Sequence, residues 1–117
     1  MWFCSNTGIR RLMLILLLLP GSVAAEFWQQ NLNRTDWERQ LAARNLTGLN
    51  VVQGLMQRFE ERDGMQITIR YPGGDAGSHW AADFRDWMVS LGIPSRFMVL
   101  EPGSGGLDIL HISLLSE

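Results

Sequence analysis

From Met65 to Tyr71 the chain alternates. Met65, Ile67, Ile69 and Tyr71 fall on one side, Gln66, Thr68 and Arg70 on the other. A period of two with one wet side predicts a half-buried strand. The pattern then breaks. Pro72-Gly73-Gly74-Asp75-Ala76-Gly77 is a loop by composition, and Ser78 is placed to cap a helix over His79 to Leu91. On that helix Trp80, Phe84, Trp87, Met88 and Leu91 have the spacing of one buried stripe. Gly92 suits the left-handed residue that ends a helix, and Ile93-Pro94 bars its continuation. Ser95 to Glu101 is apolar on both faces, which predicts a strand in the sheet interior. Pro102 to Gly106 is a turn. Leu107 to Leu115 is a last strand, expected to form an antiparallel hairpin with the one before. The strands on either side of the helix are expected to be parallel neighbours.

Upstream, Thr35-Asp36-Trp37-Glu38 fits a capping box with Thr35 as N-cap. The helix it starts places Trp37 and Leu41 on one face and stops near Gly48. Leu49 to Arg62 is a second helical stretch with Val52, Leu55, Met56 and Phe59 as its stripe. Gly54 inside it costs about 1 kcal/mol relative to Ala, unless close packing needs the missing side chain. Gly64 ends the segment. Glu26 to Arg34, polar but for Phe27, Trp28 and Leu32, reads as an N-terminal arm outside the domain. The expected architecture is a small two-layer α/β (α+β) sandwich. Its order is α-α-β-α-β-β, with a mixed three-stranded sheet and helices on one face. Residues 35–117 form the single domain, which suits a chain of 117 residues.

The first 25 residues have the form of a secretory signal. Arg10-Arg11 precede the apolar run Leu12 to Leu19, Pro20-Gly21 breaks it, and Val23-Ala24-Ala25 is a small-residue cleavage site. The run is shorter than the roughly 20 residues of a spanning helix. Cleavage after Ala25 is therefore expected, giving a periplasmic or secreted protein with no stable membrane insertion. It also removes Cys4, the one cysteine, and with it any disulfide or thiol chemistry. All ten basic residues are Arg. Eight of them follow Ala25 against twelve acids, a net charge of −4. That balance excludes nucleic acid as the expected partner, since phosphate binding needs a basic face.

Ile67-Thr68-Ile69, the turn Gly74-Asp75 with Gly77-Ser78, the run Val89 to Arg96 and the strand Ile109 to Leu114 together resemble the C-terminal OmpA-like domain over about half the chain. The resemblance implies a periplasmic peptidoglycan-binding function. It places Asp75 at the family's ligand-binding Asp. Aligned from Gly92-Ile93, Trp80 stands where the family has its binding Arg, and Arg85 is out of register with it. No counterpart of the family's first strand is read in the sequence. The candidate ligand-binding residues are thus Asp75, Gly74 and Ser78 in the loop, with Arg70 and Arg85 as arginines able to meet a carboxylate.

Two other readings rest on the residues alone. Asp75, His79 and Asp83 could serve a small metal-dependent hydrolase, because His79 and Asp83 share a helix face at i and i+4. The chain could also be an accessory subunit of a secretion or pilus system. The expectation is an exported, non-enzymatic binding or accessory protein of the bacterial envelope. It has no catalytic residue, metal or cofactor, and its partner is an envelope protein or peptidoglycan.

Overall fold

Strand β2 (Met65–Tyr71) forms where the alternation places it, and the rest of the sheet is arranged about it. The computed structural model describes residues 25–117; the segment read as a secretory signal, with Arg10, Arg11, Leu12 to Leu19 and Cys4, lies outside the described residues. In chain order the elements are β1 (Ala25–Asn33), α1 (Arg34–Ala42), α2 (Asn50–Arg58), β2, α3 (Asp75–Ser90), β3 (Met98–Pro102) and β4 (Ile109–Ser116). Short 3-10 turns at Leu46–Gly48 and Ser95–Phe97 lead into α2 and β3. Among these residues no helix is long and apolar enough to cross a membrane.

The sheet has four strands, not three, in the order β1-β4-β2-β3. The described order is therefore β-α-α-β-α-β-β. The added strand is the segment read as an arm. Glu26 to Asn33 pairs antiparallel with β4 from Leu115 back to Ile109, with a bulge between Glu26 and Trp28. Its polar residues Gln29, Asn31 and Asn33 hide the strand from composition, because Asn is depleted in strands. Pairing to β4 supplies what propensity does not.

The hairpin between the last two strands does not form. β3 pairs in parallel with β2, Ile67 opposite Met98 through Tyr71 opposite Pro102. β4 lies between β1 and β2, antiparallel to both. The turn after β3 makes this possible by crossing the end of β2: Gly103 N and Ser104 N both donate to Tyr71 O, at 2.9 and 3.3 Å. β3 is thus an edge strand, and Val99 on it is exposed.

All the inward side chains of the sheet meet the helices. Leu32, Ile67, Ile69, Leu110, Ile112 and Leu114 join Leu55, Phe84, Met88 and Ile93 in one core. Trp37 of α1 packs on Phe84 of α3 with ring centroids 5.8 Å apart. The stripe of α3 that faces the sheet is Gly77, Trp80, Ala81, Phe84 and Met88. Trp87, expected in that stripe, is 43% exposed. One residue turns a helix by about 100°, so Met88 in the centre leaves Trp87 on the flank.

The helix ends also differ in detail from the sequence reading. Asn33, not Thr35, caps α1, its Oδ1 accepting from Thr35 N at 2.8 Å. α2 stops at Arg58, earlier than expected, and α3 starts four residues earlier, after Gly74. The C-terminus of α3 is a Schellman motif: Ile93 N donates to Met88 O, Gly92 N donates to Val89 O, and Gly92 has φ 110°. Ile93 and Met88, which such a motif brings together, are both in the core.

Gly54 has a packing reason. A Cβ at that position would lie 2.7 Å from Cζ2 of Trp28. The ring of Trp28 therefore lies directly on the α2 backbone. Arg58 closes the arrangement, with its guanidinium 5.6 Å from the ring centroid and Nη1 donating to Gly54 O at 3.1 Å.

Candidate functional site

The Pro72–Ser78 turn is built by close backbone approach. A Cβ on Gly77 would run into Pro72 O, so the first turn of α3 can sit against the end of β2 only with glycine there. Gly74 has φ 95°, also a glycine conformation, and no side chain caps the helix. Asp75 is the first helical residue and is exposed. Ser78 closes the turn from within: its N donates to Gly74 O at 3.1 Å and its Oγ to Asp75 O at 3.0 Å. Gly74, Asp75 and Ser78 are thus together, as expected.

The two arginines are elsewhere. Arg70 lies on the face of the sheet away from the described helices, its Nε 3.2 Å from Glu101 Oε1. Arg85 is on α3 more than two turns beyond Asp75 and pairs with Asp86 at 3.3 Å. Neither completes a carboxylate clamp with Asp75. The proposed metal set does not assemble either. His79 and Asp83 line a groove between α1 and α3, and Asp75 is not part of that lining. Among the described residues no group of three or more His, Cys, Asp or Glu side chains is placed to hold a metal ion.

Two surfaces are better organised: the wet side of the sheet, which the alternation of β2 predicts, and a helix seam, which it does not. The first is the outer face of the sheet, which none of the described helices covers. Asn31, His111, Arg70 and Glu101 stand in one row across all four strands. His111 Nδ1 donates to Asn31 Oδ1 at 2.7 Å, and the Arg70–Glu101 pair closes the other end. The next row holds Gln29, Ser113, Thr68 and Val99. In it Thr68 and Ser113 are buried, shielded by longer neighbours such as Gln66, whose Nε2 donates to Thr68 Oγ1 at 3.1 Å. Ser113 Oγ has no hydrogen-bond partner among the described residues. The face is thus polar, half-buried and fixed by cross-strand contacts.

The second surface is the seam between α1 and α3. Arg34 lies 4.2 Å over the Trp80 ring, Trp37 meets Phe84, and Leu41 and Trp87 line one groove. These contacts step in the same direction along both helices, so α1 and α3 run parallel. A third, smaller hollow of about 210 Å³ borders the β1 edge, lined by Gln30, Asp36, Gln40 and Asn50 among others.

No family model, no curated protein and no solved structure matches this chain.

Proposed function

We propose that this is an exported, non-enzymatic binding or accessory protein of the bacterial cell envelope, whose partner is peptidoglycan or an envelope protein. The observation that carries the reading is the polar outer face of the sheet. A row of hydrogen-bonding side chains crosses all four strands there, held in fixed geometry and not covered by any described helix. Such a surface can read a ligand without doing chemistry on it. Two further features support the cell-wall branch. β1 supplies the first strand that an OmpA-like layout has, and Asp75 is exposed at the head of α3, next to the loop that resembles the family's ligand loop. Trp80, standing where that family has an arginine, is buried in the core and cannot replace it.

The test is sedimentation with purified peptidoglycan sacculi, alongside pull-down from envelope extract with and without digested peptidoglycan. Retention on sacculi, reduced by Asp75→Ala, supports the cell-wall branch. Retention from extract that survives digestion and is reduced by Arg70→Ala supports a protein partner on the sheet face. A protein retained by neither sinks the proposal.

A further inference from the structure

Trp87 and Leu41 are large apolar side chains that the fold leaves 43% and 37% exposed, side by side. They flank a groove of about 380 Å³ with the buried Leu46 and with Arg44 at its end. Past Leu41 the seam continues as a second groove of about 360 Å³, whose lining includes Glu38, His79 and Asp83. Along α3 the lining runs from Ala76 to Trp87, a rise of about 16 Å or three helical turns. A channel between two parallel helices, apolar at one end and three turns long, has the shape that accepts a third helix.

Its charges are specific. Glu38 and Asp83 both line the channel, and neither has an ion-pair partner among the described residues. Arg44, at the Trp87 end, has none either. Arg34, at the far end, is already engaged by Asp108 at 3.2 Å. The complement is an apolar stripe over Leu41 and Trp87, a basic side chain between Glu38 and Asp83, and an acidic one toward Arg44. We infer that the α1–α3 seam is the docking groove for an amphipathic helix of a second envelope protein, with Trp87 as its main apolar anchor. A partly exposed Trp in a groove is the kind of residue that dominates interface energy. The inference rests on the binding reading above and names the partner's chemistry on a different surface.

The experiment is photo-crosslinking in cells that produce the full chain, with benzoylphenylalanine at position 41. Position 66, on the outer sheet face, is the comparison. The expected adduct at 41 is a segment of another protein that forms an amphipathic helix bearing Lys or Arg. A synthetic peptide of that segment should bind the wild-type protein. Asp83→Lys should weaken it at least tenfold, and a Lys→Glu peptide should restore binding to that variant. Trp87→Ala should also weaken binding at least tenfold while the protein still unfolds in one cooperative transition only a few degrees lower, which separates a lost contact from a lost fold. Adducts at 41 only with lipid or a second copy, or affinity indifferent to Asp83→Lys, overturn the inference. Adducts at 66 but not at 41 overturn it and leave the binding reading standing, whereas adducts at neither position count against both.

Discussion

Replacing Gly54 by Ala should destabilise this protein, although it removes a glycine from the interior of a helix. In an open helix the exchange gains about 1 kcal/mol. Here the new methyl would lie 2.7 Å from Cζ2 and 3.2 Å from Cε2 of Trp28, well inside contact distance. A lone aromatic ring could swing away, but this one is bracketed by Arg58, which also holds Gly54 O. Overpacking of this kind costs about 1–3 kcal/mol. β1 is an edge strand that can yield somewhat, so the net expectation is a loss of about 1 kcal/mol. For a domain of this size that lowers the thermal midpoint by roughly 4–8 °C. Urea unfolding of four proteins tests the reasoning: wild type, Gly54→Ala, Trp28→Ala and the double variant. Without the ring the methyl should be welcome, so Gly54→Ala in the Trp28→Ala background should stabilise by about 1 kcal/mol. The coupling between the sites is then about 2 kcal/mol, within the range for residues in contact. If Gly54→Ala stabilises both backgrounds equally, Trp28 does not lie on α2 and the account of β1 fails.

Other substitutions separate close approach from mere loop composition. Gly77→Ala should cost at least about 3 kcal/mol, since its Cβ meets the backbone carbonyl of Pro72 rather than a movable side chain. Gly73→Ala, with nothing near its Cβ, should shift the urea midpoint by less than about 0.5 kcal/mol equivalent. Phe84→Ala in the core should lose about 3–5 kcal/mol in the same assay, whereas Trp87→Ala should lose less than about 1. A reversed order would return Trp87 to the core. Asn33→Ala should remove about 1 kcal/mol through the α1 cap, with Thr35→Ala near neutral. Equal losses would restore Thr35 as the cap.

The segments most legible in the sequence are those whose pattern depends on neighbours close along the chain. β2 was readable to its last residue because apolar and polar residues alternate over all seven positions. The Gly92 stop was readable because a Schellman motif is a local object. β1 was not readable, because nothing local favours Gln29, Gln30 and Asn31 as a strand; only β4, distant in sequence, does. The place of β4 was missed for the related reason that a short glycine turn usually makes a hairpin, and the hydrogen bonds carrying this one across Tyr71 O leave no mark on composition. The candidate site followed the same division. Gly74, Asp75 and Ser78 came together because they share one turn, while the row from Asn31 to Glu101 depends on strand order. Trp87 was misplaced because spacing alone allows two stripes. The small residues Gly77 and Ala81 mark the one that touches the sheet, and they were the available signal.

The central place of β4 also sets when this protein can begin to fold. β1 and β2 do not pair with each other; each pairs with residues 109–116. Until those residues have left the ribosome, the first strand has no neighbour and the sheet has no middle. Loop closure over such long separations is slow as well. A growing chain of this kind keeps its first strand unpaired until residues 109–116 emerge, and a variant lacking them would leave that strand without a partner.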